Sequence, residues 1–280
     1  MPAGRRITSR NAQFQQWQAL LANRKKRQRA GEFLVQGVRP ISLAVEHGWP
    51  VHTLIHDDRR GLSRWAGELL DTVPAERIAM APELLADLGE KNEAAPELVA
   101  VVGMPADDLQ RIPVEDDFLG VLFDRPTSPG NIGSIIRSAD AFGAHGLIVS
   151  GHAADVYDPK SVRASTGSLF ALPAVRVPSP REVADWLQAQ RAQGKPVLMV
   201  GTDEHGEKNV FDFDLTQPVL LLIGNETSGL SGAWRELCDH TVSIPIAGAA
   251  SSLNAANAAT TVLYEASRQR IAAKAQVSGV

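Results

Sequence analysis

Apolar positions along the chain alternate between helical and strand spacing. Residues 11–23 place Phe14, Trp17, Leu20 and Leu21 three or four apart, the stripe of an amphipathic helix. EFLVQG (32–37) then reads as a short strand, 39–46 as a helix ending near Gly48, and VHTLIHD (51–57) as an alternating strand. Residues 62–71 read as a helix, and RIAMA and LVAVV as further strands. This predicts an α/β domain over 1–102. Residues 103–117, rich in Pro and Asp and poor in large apolar side chains, read as a linker. From 118 the pattern restarts. LGVLF leads to a helix over 131–143, GLIVSG, a loop and short helix through 170, and ALPAVRV. A helix over 181–192, PVLMVG, PVLLLIG, a helix over 230–238, VSIPI and a helix over 253–273 follow. Strands with unbroken apolar runs, alternating with helices, predict a parallel sheet covered on both faces. The second domain is therefore 118–273, with 274–280 a frayed tail.

Composition adds exclusions. The 280 residues are 44% hydrophobic and 21% charged, a globular balance. No window approaches the roughly 20 apolar residues of a membrane span, and no apolar run follows the basic N-terminus as in a secretory signal. The single cysteine, Cys238, excludes a disulfide framework and a multi-cysteine metal site, and a reducing cytoplasm is the expected setting. The seven histidines are scattered, and no metal site is expected. There is no GxGxxG after a strand, no GxxxxGK[ST], no HExxH and no CxxC. The net charge of −4 hides an asymmetry: residues 1–31 hold eight basic residues and no acid, so the rest carries −12. A basic arm on an acidic body fits either a local polyanion contact or a solvated basic helix face, with Arg10, Arg24, Lys25, Lys26, Arg27 and nearby Arg39 as candidate nucleic-acid contacts.

Three segments carry a chemical signal. In FDRPTSPGNIGSIIRSADAFG a strand gives way to a helix with the stripe Ile132, Ile135, Ile136, Ala139 and Phe142. Asn131 sits at its start as a capping candidate, and a helix N-terminus suits an anion. Arg137 lies off the stripe, where its guanidinium either reaches back toward that anion or is a solvated surface charge. In PVLLLIGNETSGLS an apolar strand runs into Gly224, which admits close backbone approach, with Glu226 just beyond. In VSIPIAGAASSLNAANAATT a proline interrupts a strand. A small-residue loop through Ser252 follows, and a helix begins near Leu253 with Asn254 and Asn257 in its first turn.

Taken in order, N-x-G-x-x-x-R-x-A-x-x-F-G, G-x-E-x-x-G-L-S and I-P-I-x-G…S-L-N resemble the SpoU (TrmH-type) family of AdoMet-dependent RNA ribose 2'-O-methyltransferases over roughly 118–270. Ser9-Arg10-Asn11 through Gly37 resembles the substrate-binding domain that many members carry, itself similar to α/β ribosomal RNA-binding proteins. Gln36 stands where the family usually has Glu, and Ala255 where it has Val.

The resemblance implies a C-terminal SPOUT domain, an α/β fold whose parallel sheet carries a trefoil knot, preceded by the smaller α/β domain. AdoMet would lie against backbone near Gly224, Ile244 and Leu253, with Gly201 and Thr202 as further contacts. It also implies a homodimer with the active site shared between protomers. Arg137 would meet the reactive hydroxyl, and Asn131, Glu226, Ser252 and Asn254 would position it. A guanidinium is effectively always protonated, so Arg137 is expected to pair with the target phosphate and polarise the hydroxyl while the proton leaves to phosphate or water. The expected substrate is ribosomal RNA. The alternatives are tRNA, or a non-catalytic RNA-binding ribosome-assembly factor, which would be expected to have lost some of these five residues.

Overall fold

The computed structural model describes residues 5–89 and 95–277. The chain divides into two compact units. One holds the chain through Pro105 together with Tyr157–Ala171; the other holds Ala106–Val156 and the chain from Leu172 onward.

The first unit runs β1 (Arg5–Ile7), α1 (Ala12–Ala22), α2 (Arg24–Ala30), β2 (Glu32–Gln36), α3 (Val38–Glu46), β3 (Val51–Asp57), α4 (Arg64–Thr72), β4 (Glu76–Met80), α5 (Pro82–Leu88) and β5 (Leu98–Gly103). Its sheet has the order β1-β4-β3-β5-β2. The β1, β4 and β3 pairings are parallel, whereas β5 is antiparallel to both β3 and β2. Phe14, Trp17 and Leu20 of α1 are buried with Ile55, Ile78, Val99 and Val101, as the helical spacing predicts.

The expected basic arm is folded into this unit, and its residues 1–4 lie outside the described ones. Arg5–Ile7 pairs with β4 as an edge strand, Arg6 Nε sits 2.5 Å from Asp58, and Arg10 Nη2 sits 2.6 Å from Asp87. Arg27 corrects the RNA-contact reading outright. It is 2% exposed, and its Nη1 donates to the carbonyls of Leu20 (2.6 Å) and Leu21 (3.2 Å). Those are orphan carbonyls in the last turn of α1, which no intrahelical donor can reach, so Arg27 acts as a C-terminal cap. Lys25 and Lys26, on the other side of α2, are exposed.

The second unit begins before its first strand. Ile112 and Val114 are buried in its core, so the expected linker is only partly a tether. It continues through β6 (Leu119–Asp124), α6 (Pro129–Ala141) and β7 (Gly146–Ser150). Next in the chain come α7 (Pro159–Ala164) and α8 (Ser168–Ala171), which cluster with the first unit and not with the second domain as expected. The reason is apolar burial and backbone pairing: the rings of Tyr157 and Phe170 pack on Phe33, and Trp49 Nε1 donates to the Phe170 carbonyl at 3.0 Å.

The remaining elements are β8 (Ala174–Val177), α9 (Pro180–Ala192), β9 (Leu198–Thr202), β10 (Lys208–Asn209), β11 (Val219–Ile223), α10 (Gly232–Leu237), β12 (His240–Ser243) and α11 (Ala255–Val277). The sheet order is β10-β12-β9-β11-β6-β7-β8, with every pairing parallel. β6, β7 and β11 are buried along their whole lengths, as their unbroken apolar runs require. β12 stops before Ile244, because Pro245 has no N–H to continue the ladder. α11 runs through most of the expected tail, and residues 278–280 lie outside the described ones.

Candidate functional site

Successive strands build outward from β6 in one direction through β7 and β8, and the chain then returns to place β11 and β9 on the other side of β6. Such a reversal opens a crevice at the carboxyl ends of the strands, the usual ligand position in open α/β sheets. A cavity of 420 Å³ lies there, floored by Thr202 at the end of β9, Gly224 after β11 and Ile244 after β12. Its outer wall is the exposed segment leading into α11, with Ser252 and Leu253.

The three sequence motifs meet at the rim of this cavity. Glu226 Oε2 accepts from the Thr127 N–H at 3.0 Å and the Thr127 hydroxyl at 3.1 Å. Its Oε1 accepts from the Ser128 N–H at 3.0 Å and from Asn131 Nδ2 at 3.1 Å. Asn131 Oδ1 in turn accepts from Asn254 Nδ2 at 3.2 Å, and Asn254 Oδ1 accepts from the Ala256 N–H at 2.9 Å, capping α11. One carboxylate therefore joins the loop after β6, the loop after β11 and the start of α11. Burial alone would raise the Glu226 carboxyl. The donors from Thr127, its own backbone, Asn131 and Ser128 outweigh burial and hold it below the usual carboxylate range.

Two capping expectations change. The cap of α6 is Ser128, whose Oγ accepts from the Asn131 N–H at 3.3 Å, so the helix starts at Pro129 and frees the Asn131 side chain to bridge. At α11 the helix starts at Ala255, leaving Leu253 and Asn254 ahead of it.

Of the expected cofactor contacts, Thr202, Gly224, Ile244 and Leu253 line the cavity. Gly201 does not. A Cβ there would meet Cys238 Sγ at 2.8 Å and Leu230 at 2.9 Å, so this glycine serves packing inside β9. Burial, helped by Asp239, pushes the Cys238 thiol up to about 11, which makes it an inert core group. Gly224 is required by its own loop, since a Cβ would fall 2.5 Å from the backbone of Gly229 and Leu230.

Arg137 stands apart. It lies eight residues past the first residue of α6, about 12 Å along the axis. That distance rules out a reach back to the helix N-terminus. Its side chain is exposed and has no hydrogen-bond or ion-pair partner among the described residues.

Sequence reasoning missed a second clamp. Asp124, 1% exposed, receives Arg125 Nε and Nη2 at about 3 Å and accepts from the Ser231 N–H at 2.8 Å. Arg125 takes φ of +47°, a left-handed conformation unusual for a non-glycine residue, and its carbonyl accepts from Asn225 Nδ2 at 2.7 Å. The available signal was a charged residue ending an otherwise apolar strand.

A parallel α/β sheet with a cavity at its switch point and three converging loops defines an open α/β fold with a ligand site at the carboxyl ends of its strands. Its motifs place it further. The chain belongs to the SpoU rRNA methylase family, whose model matches residues 119–264, and a SpoU L30e-like domain model matches residues 11–100. It is 79% identical over 273 residues to a 23S rRNA (uridine(2479)-2'-O)-methyltransferase of Streptomyces viridochromogenes, covering 98% of this chain and 95% of the relative. The crystal structure of the SpoU methyltransferase AviRb from Streptomyces viridochromogenes in complex with AdoMet superposes with a TM-score of 0.91 at 79% identity, covering 94% of this chain and 99% of that one. An AdoMet-bound rRNA methyltransferase from Sinorhizobium meliloti gives 0.82 at 28% identity, covering 94% of this chain and 97% of that one. No helix among the described residues is long and apolar enough to cross a membrane.

Proposed function

We propose that this protein transfers a methyl group from AdoMet to a ribose 2'-hydroxyl of 23S ribosomal RNA. The observation that carries this reading is the Glu226–Asn131–Asn254 chain, which fixes three separate loops around a cavity of 420 Å³. The activity of the Streptomyces relative supports the choice of substrate.

The cavity suits the cofactor chemically. Ile223, Ile244 and Leu253 offer apolar surface for an adenine, and backbone at Gly224 and Thr202 offers hydrogen-bonding groups. The one cation on the wall, Arg235, is already held by Asp203 at 3.1 Å and does not confront a sulfonium. Bound there, AdoMet supplies an electrophilic methyl group.

The residues of this chain then have distinct tasks. Glu226 is not the base. Five donors reach its two oxygens, and a carboxylate held below its usual range is a weak proton acceptor. It positions Asn131, and through it Asn254 and the Ser252 loop. Arg137, distant along α6 and without a partner among the described residues, serves the site of a partner protomer in a homodimer. There it pairs with the target phosphate and polarises the 2'-hydroxyl, and the proton leaves to phosphate or water. In the first unit, Lys25, Lys26 and Arg39 contact RNA phosphates.

The test is incubation of the protein with methyl-labelled AdoMet and a 23S rRNA transcript, followed by alkaline hydrolysis. A 2'-O-methyl group blocks cleavage at its own linkage, so label in an alkali-stable dinucleotide is expected. Label released in mononucleotides would indicate base methylation and overturn the reading.

A further inference from the structure

The first unit contains its own cavity, of 510 Å³, on the side where β2 meets α3. Its walls are apolar: Leu34 and Val35 of β2, Val99 of β5, Val162 of α7 and the half-buried indole of Trp65. The indole is fixed in place, because its Nε1 donates to the Ser42 hydroxyl at 2.9 Å. Val38, 58% exposed, stands at the mouth. The polar part of the rim carries cationic donors beside Gln36, Glu97 and Thr166. Arg39, whose Nε donates to the Thr166 carbonyl at 3.2 Å, and Arg163 are both partnered within the chain yet exposed to solvent there, and α3 begins at Gly37 with no side-chain cap on its first N–H groups. The acid on the rim, Glu97, is engaged: its carboxylate accepts from both the N–H and the hydroxyl of Ser63 at the start of α4. An apolar slot with an aromatic wall, ringed by guanidinium groups and open N–H donors, complements a flat ring attached to a phosphodiester.

We infer that this cavity takes one unstacked nucleotide of the RNA, its base against Trp65 and its phosphates on Arg39 and Arg163. This rests on the proposed action on rRNA and adds a second point of base contact, separate from the nucleotide that is methylated. Residues 157–171, which cluster with the first unit, supply Val162 and Arg163 to the slot.

The experiment uses the full chain and a 23S rRNA transcript. Trp65→Leu is expected to weaken binding about tenfold, as loss of one base–aromatic stack does, with the slope of log Kd against log salt unchanged. Trp65→Phe, which keeps an aromatic face, should recover most of that loss. Arg39→Gln with Arg163→Gln should lower the slope instead. Unchanged binding by Trp65→Leu with AdoMet affinity retained would overturn the inference, as would a lowered slope in that variant. If Trp65→Leu fails to fold, the wild-type chain decides by irradiation with 4-thiouridine-substituted transcript. Nucleotide adducts on peptides covering 34–40 or 159–166 support the slot, and adducts confined to other peptides overturn it. Methylation of the transcript by the wild-type chain reports on the proposed function separately.

Discussion

Two stretches of the same helix make opposite use of polar side chains. At the start of α6, Asn131 is bound on both sides, by Glu226 and by Asn254, and the carboxylate behind it is saturated. Six residues on, Arg137 projects into solvent with no partner among the described residues. Groups that are fully satisfied within one chain hold loops in place. A long cation left unpaired next to such a framework is available to something outside the chain. On the proposed reading, in which two protomers share each site, the cavity and this guanidinium belong to different copies of the site.

The largest expected effect breaks this contrast at its open end. Arg137→Ala should lower methylation about 10²–10³-fold, the cost of losing one charge-stabilising donor. AdoMet affinity and the melting temperature should stay unchanged, because no hydrogen bond or ion pair to a described residue is lost. Arg137→Ala and Asn254→Ala chains, each inactive alone, should regain activity when mixed under conditions that exchange protomers. Each mixed dimer then holds one site with both residues intact. Absence of any recovery would remove the shared site.

The strand and helix pattern of the second unit was legible because buried parallel strands carry unbroken apolar runs, as in β6 and β11. Motif order singled out residues that the fold brings together: Glu226, Asn131 and Asn254 are bonded in a chain, and four of the five positions expected to meet a cofactor line the cavity. What stayed hidden was short or depended on distant partners. β1 and β10 are too brief for a period to register, and α5 fell between two strands. Arg27 reads as one more charge in RKKRQRA, since nothing local shows that the carbonyls of Leu20 and Leu21 lie within its reach. Ser128 and Asn131 are both sound caps by composition. Only the position of Glu226, 95 residues away, decides that Asn131 bridges instead.

The same contrast between spent and unspent cations recurs in α2, where it predicts a separation of stability from binding. Arg27→Met strands the buried Leu20 carbonyl and the partly buried Leu21 carbonyl and should cost about 1–3 kcal/mol in denaturant unfolding. Lys25→Ala and Lys26→Ala should leave stability unchanged and lower the salt slope of RNA binding by about one each. Point substitutions are needed, because removing residues 1–31 would strip Phe14, Trp17 and Leu20 from the core. A stable Arg27→Met protein with a reduced salt slope would return Arg27 to the RNA surface.

At Glu226 the effect is smaller and depends on pH. The folded-state pKa is depressed, so its contribution is fully present above the unfolded-state value of about 4.3 and is lost as pH falls through the lower folded value. Glu226→Gln should cost about 1–2 kcal/mol at pH 7, discounted for partial exposure, and the difference from wild type should shrink toward zero on acidification below pH 4. A gap that persists in acid would mean that shape, not charge, holds the three loops.

The smallest effect separates capping from bridging within one turn of helix. Ser128→Ala removes the oxygen that accepts from the Asn131 N–H but leaves the Ser128 backbone donor on Glu226. It should cost about 1 kcal/mol of stability, as N-cap losses do, and leave methylation within about twofold of wild type. Asn131→Ala keeps that cap and cuts the link to Asn254, so it should melt near the wild-type temperature yet lose activity. If the two variants exchange phenotypes, the side chain of Asn131 is doing the capping, and the bridge from Glu226 to α11 does not govern the site.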